Sequence, residues 1–126
     1  MATINEDYVS FEIAKLLKEK GFDVPTRSHY DGLGGFGFLD ICEINWNNYK
    51  CFKERGCYSA PTLQMAVKWL RIEHNIHCVA AYRESDYYEP QIFCLGEWVD
   101  DKELDGCFSH EGAIKAAIKY CLEKLI

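Results

Sequence analysis

Asp31-Gly32-Leu33-Gly34-Gly35-Phe36-Gly37-Phe38, the stretch DGLGGFGF at residues 31–38, contains a formal G-x-G-x-x-G at Gly32, Gly34 and Gly37. In a dinucleotide-binding fold that pattern follows a strand, opens a helix and is answered by an acidic residue about 20 positions on, because the glycine amides and the helix dipole hold a pyrophosphate. Here TRSHYD precedes it, and the apolar, non-helical FLDICEI overlaps its end and follows it. The kinase form needs a lysine strand and a catalytic loop, and neither H-R-D nor D-F-G occurs in the chain. Both phosphate readings fail on context. The stretch reads as a flexible hairpin tip between His29-Tyr30 and Phe36-Gly37-Phe38.

Outward from the tip, the chain reads as helices and hairpins. On the N-terminal side, NEDYVSFEIAKLLKEKG repeats Val9, Ile13, Leu16 and Leu17 at helical spacing, with Glu12, Lys15, Lys18 and Glu19 on the other side. Asn5 or Ser10 supplies its N-cap, and Gly21 suits a left-handed C-terminal position. Residues 26–58 lose regular period and read as an irregular, loop-rich insert, with a short strand at about residues 37–44. SAPTLQMAVKWLRIEHN is the clearest helix, with Pro61 at a first helical position and an apolar stripe of Leu63, Ala66, Val67 and Leu70 widened by Met65, Trp69 and Ile72. Two strands, IHCVAAYRE and YYEPQIFCLGEW, joined by Ser85-Asp86, form an antiparallel hairpin, with Pro90 placing the second strand at an edge or starting it later. SHEGAIKAAIKYCLEKLI closes the chain as a helix capped by Ser109, with Ala113, Ile114, Ala117, Ile118, Cys121, Leu122 and Leu125 on its buried face. The expectation is one α+β domain spanning 1–126, with three helices on one face of a small, mainly antiparallel sheet.

Composition narrows the function classes. A net charge of −6 argues against nonspecific binding to nucleic acid or an anionic membrane, which draws on clustered Lys and Arg. Seven cysteines at 42, 51, 57, 78, 94, 107 and 121, without a C-x-x-C pair, read as separate reduced thiols. MATINEDYV has no basic start followed by an apolar run, and the expected location is the cytoplasm. Eight tyrosines and three tryptophans suit ligand or partner surfaces.

Four constellations are candidates for chemistry. Lys50, Lys53, Arg55, Tyr58, Ser59 and Thr62 stand before or at the start of the central helix, where free amides and the dipole favour a phosphate or carboxylate. Arg27, His29 and Tyr30 complete that pocket where the fold brings them close. Tyr82, Arg83, Tyr87 and Tyr88 cluster at the hairpin turn as an interaction surface. His74, His77 and Cys78 are of metal-ligand type, but a helix end and two adjacent strand positions face different ways, so no metal site and no cofactor are expected. No nucleophile elbow, H-E-x-x-H or Walker lysine is present, and an enzyme is the less economical reading.

YVSFEIAKLLKEKGFDVP, SAPTLQMAVKWLRIEHNIH and AIKAAIKYCLEKLI together resemble a set of small, largely uncharacterised proteins encoded by phages, prophages and mobile elements of gut Bacteroidales. The resemblance covers the two ends and the middle of the chain and brings no catalytic residues with it. It implies an accessory protein that acts on the host by capturing a nucleotide immune signal or by binding a defence protein. The leading expectation is a non-enzymatic sponge for a small phosphate-bearing or nucleotide ligand, suited to a homo-oligomer with shared pockets. The alternatives are a module that docks a host or phage protein through the aromatic hairpin, and a small nucleotide hydrolase.

Overall fold

The computed structural model describes residues 5–48 and 56–126. They belong to two compact units, one ending at Thr62 and the other starting at Leu63. The class is α+β: among the described residues there are three α-helices, and all sheet pairings are antiparallel. The strands are divided between two three-stranded sheets, one in each unit, rather than joined in one.

In the first unit, α1 spans Phe11–Glu19. Ser10 caps it, its hydroxyl accepting from the Ile13 amide at 3.2 Å, and Gly21 ends it at φ +90°. Of the expected stripe, Val9, Ile13 and Leu17 are buried and Leu16 is half-buried, while Ala14 is buried as well. The sheet has the order β2-β1-β3, with β1 at Ser28–Tyr30, β2 at Phe36–Phe38 and β3 at Tyr58–Ser59. The expected 37–44 strand is therefore shorter and earlier, and Ile44 instead makes an isolated bridge to Thr26. A 3-10 turn at Trp46–Asn48 is tied in by its side chains: Trp46 Nε1 donates to Thr26 O at 2.8 Å and Asn47 Nδ2 donates to Phe22 O at 2.7 Å.

In the second unit, α2 (Leu63–His74) and α3 (His110–Tyr120) pack on a sheet of order β4-β5-β6. β4 spans His77–Tyr82, β5 Tyr88–Cys94 and β6 Glu97–Trp98. Pro61 lies outside α2, and its carbonyl accepts from the Val9 amide at 3.0 Å. Ile72, expected on the apolar stripe, is 64% exposed. Ser109 caps α3 through the Gly112 amide, and α3 buries Ala113, Ile114, Ala117 and Ile118 before a π-helical turn at Cys121–Leu125.

Two departures in this unit have local causes. YYEPQIFCLGEW is split into β5 and β6 by Leu95 and Gly96, both at positive φ (55° and 81°), which is the backbone of a two-residue hairpin turn. Pro90 lies within β5, the central strand of the sheet, rather than at an edge. Arg83 N donates to Tyr87 O, so ladder bonds to β4 fall at odd positions of β5, and residue 90 faces the other way, where no donor to β4 is needed.

Ile118 is fully enclosed in α3. Ile118→Ala is expected to cost about 2–5 kcal/mol of unfolding free energy, read from urea titration of the purified chain.

Candidate functional site

The glycine tip is closed by its own aspartate. Asp31 Oδ1 accepts from the amides of Leu33 and Gly35, each at 2.8 Å, while Asp31 O accepts from Gly34 N and Asp31 N donates to Gly35 O. The amides a phosphate would use are thus occupied by an internal carboxylate. Those bonds, the Gly35 amide first, hold the Asp31 carboxyl below its ordinary range. Gly34, at φ +91°, lies against the Phe11 ring, so the tip folds back on α1.

The register of the first sheet sorts the sequence-predicted ligand residues onto two faces. His29 pairs with Ser59 and Gly37, and Tyr30 pairs with Tyr58 and Phe36. Ser28 O accepts from Ala60 N, so the intervening His29–Ser59 pair is a non-hydrogen-bonded one, in which side chains approach most closely. On this face the His29 ring is stacked on Trp46 at 3.9 Å. On its other side it rests on Gly37, where an added Cβ would come within 2.6 Å of its Cε1. Asn47 Oδ1 accepts from Ser59 N at 2.9 Å. Among the described residues of this unit, the buried atoms His29 Nδ1, Ser59 Oγ and Asn45 Oδ1 have no hydrogen-bond partner. Burial lowers the His29 pKa, against a smaller opposing pull from Asp31.

The opposite face is aromatic. Phe11 lies 5.5 Å from both Tyr30 and Tyr58, and Phe36 lies 5.2 Å from Tyr8 and 5.5 Å from Tyr30. Tyr30 OH donates to Val9 O, and burial raises its pKa. Lys18 Nζ sits 4.9 Å over the Tyr58 ring and donates to Cys57 O at 3.2 Å.

His29, Tyr30, Tyr58 and Ser59 are therefore neighbours, as the pocket expectation required, but they point to different sides. Ser59 is a β3 residue with no exposed surface rather than a helix-start hydroxyl. Thr62 is half-buried and bridged to Tyr8, and Arg27 is exposed. Lys50, Lys53 and Arg55 lie outside the described residues. Cys57 is disulfide-bonded, which corrects the expectation that every cysteine is a separate thiol.

In the second unit the hairpin residues make two separate aromatic pairs and one ion pair. Tyr82 and Tyr88 meet edge to face at 5.4 Å, Tyr87 meets Phe108 at 5.6 Å, and Tyr88 meets His110 at 5.6 Å. Arg83 Nε binds Glu89 at 2.8 Å. Tyr82 is 58% exposed and Phe108 81%. The Tyr87 ring lies directly on Gly106, in space that any side chain there would fill. Sequence reading missed Phe108, His110 and Gly106, because nothing local shows that residue 107 returns to bridge Tyr88.

Beside this cluster opens a cleft of about 280 Å³, lined by Glu89, Gln91, Trp98, Asp100, Asp101 and Leu104. Pro90 accounts for its position. Tyr88 exchanges bonds with Cys107 and Ile92 O accepts from Val99 N, but proline between them has no amide to offer, and residues 100–106 leave the ladder as turns. Asp101 accepts from Glu103 N at 2.9 Å and from Tyr120 OH at 2.6 Å, which lowers its pKa and, chiefly through that same hydroxyl bond, pushes Tyr120 up to about 12.

His74, His77 and Cys78 do not converge. His74 packs on Trp69 at the end of α2, His77 is exposed beside Phe93, and Cys78 is buried. Comparison with protein-family models, with curated proteins and with solved structures finds no match. Among the described residues, no helix is long and apolar enough to cross a membrane.

Two pH effects follow. The unfolded chain protonates His29 at its ordinary value of 6.5 while the fold resists, so the contribution of neutral His29 is complete above that pH and is lost as pH falls below it. His29→Phe, which keeps a ring on Trp46, is expected to flatten the decline in urea midpoint between pH 7.5 and 5.5. The Tyr120–Asp101 bond contributes fully below pH 10 and fades as pH rises toward 12. Tyr120→Phe should remove that alkaline slope in melting temperature.

Proposed function

We propose that this protein is a non-enzymatic binding module that docks a basic segment of a partner protein at the aromatic end of its second unit. The observation that carries this reading is the pair of edge-to-face aromatic contacts at the β4–β5 turn, Tyr82 with Tyr88 and Tyr87 with Phe108, in which Tyr82 and Phe108 are well exposed. Aromatic side chains of this kind supply most of the energy at protein interfaces, because they bury large area at low rotamer cost. Charge indicates the partner's sign. Glu84 and Asp86 flank the turn, and Asp100 and Asp101 line the neighbouring cleft with the exposed Trp98 indole, a combination suited to a lysine or arginine side chain. The net charge of −6 acts in the same direction at long range. The resemblance to proteins of phages and mobile elements supports a host protein, including one of a defence system, as that partner.

A second reading, sequestration of a small phosphate-bearing ligand, is supported by Lys18 over the Tyr58 ring, where an ammonium and a stacking surface stand together.

Fluorescence anisotropy with labelled peptides separates the two. Peptides carrying Lys or Arg are expected to bind, acidic peptides are not, and affinity should fall at least tenfold with Tyr82→Ala or Phe108→Ala and weaken with added salt. Equal binding of acidic and basic peptides, or none at all, would overturn the docking reading. A nucleotide that stabilises the chain by about 2.7 kcal/mol at a hundred times its dissociation constant, and is recovered intact, would instead establish sequestration.

A further inference from the structure

Two thiols in the interior of the second unit face each other. Cys78 lies on β4 and Cys121 on the turn that ends α3, and their Sγ atoms are 3.5 Å apart. Both are free and buried, at 6% and 0% exposure, so each contributes one sulfur to a dry contact between the strand and the helix end. Cys78 pairs across the sheet with Ile92, on the face that meets α3. At Cys121 the α-helix widens into a π-helical turn, an irregularity that recurs at functional positions.

We infer that Cys78 and Cys121 are a latent disulfide, a modification site that cross-links β4 to the end of α3 when the chain meets a disulfide oxidant such as oxidised glutathione. The covalent S–S separation is about 2.05 Å, so closure needs an approach of about 1.5 Å, within reach of small side-chain rotations at both residues. One cysteine thiolate attacks oxidised glutathione, forms a mixed disulfide and releases one glutathione. The second cysteine thiolate then attacks the protein sulfur of that mixed disulfide and releases the other. Two protein thiols are oxidised, one glutathione disulfide is reduced to two thiols, and the two cysteine protons end on the glutathione sulfurs.

The bond joins residues 43 positions apart, and a loop of that length gains stability when closed. The Cys78 thiol beside it, together with burial, holds the Cys121 thiol well above its ordinary pKa, so oxidation of the folded chain is slow and proceeds through opening of the helix end. Cys94, half-buried on β5 and on the same side as Ile92, is the competing partner. β4 ends in Tyr82, so the cross-link braces one arm of the aromatic hairpin.

The reduced, denatured chain should be refolded in glutathione buffers of increasing oxidised fraction, trapped with N-ethylmaleimide and mapped by peptide mass spectrometry. A Cys78–Cys121 linked peptide is expected, with a higher melting temperature than the reduced chain, and Cys121→Ala should remove both. The Cys57 disulfide serves as the internal control. Recovery of Cys78 and Cys121 as maleimide adducts under conditions where Cys57 is fully oxidised would overturn the inference, as would a map in which either is joined to Cys94 instead.

Discussion

The non-hydrogen-bonded pairing of His29 with Ser59 is the constraint on which the first unit depends. Strand side chains alternate, so this one register decides that Tyr30, Tyr58 and Phe36 meet α1 while His29 and Ser59 meet the Trp46 turn. A slip by one residue would bring His29 toward Phe11 and put tyrosines against the indole. The register is held at both ends: Asp31 closes the tip on one side, and Ser28, whose hydroxyl donates to Ala60 O, ties β1 to β3 on the other. Gly37 is required in the middle because the imidazole occupies the space of its missing side chain.

That same register sets apart the described members of the expected anion site, His29 and Ser59 on one face of the sheet and Tyr30 and Tyr58 on the other. The predicted residues are adjacent along the sheet, but adjacency across strands is compatible with opposite faces. Ser59 is drawn inward, and its amide is held by Asn47. In the tip, Asp31 occupies the amide nest that a phosphate would otherwise approach. A carboxylate attached to the chain is present at effectively high local concentration and needs no association entropy, so it outcompetes a free anion for the same donors.

The three helices were legible because their signals are local: Ser10 and Ser109 as caps, Gly21 as the terminator, and apolar spacing that matches Ile13 and Leu17 in α1 and Ile114 and Ile118 in α3. The β4–β5 hairpin was legible for the same reason. The Leu95-Gly96 turn was not, since leucine rarely takes a left-handed conformation and the stretch reads as one continuous strand. Nor was the Cys107 bridge to Tyr88, a contact between positions 19 apart in the chain, and with it Phe108, His110 and the acidic cleft were missed. Half of the hairpin surface could be named from sequence, because Tyr82, Tyr87 and Tyr88 flank one short turn. The other half depends on where a later loop returns.

Pro90 shows how one residue can shape that second half. A proline in a central strand is tolerated only where its nitrogen has no ladder partner, and here it faces the side on which Cys107 and Val99 bond β5 at either end. With no donor at Pro90, one ladder bond is lost between them, and the chain from 100 to 106 turns outward, supplying Asp100, Asp101 and Leu104 to the cleft wall. Tyr120 then holds Asp101 in place from the end of α3. The acidic cleft thus results from a backbone group that is missing, and its charge stays beside the aromatic hairpin because both are built on the same strand.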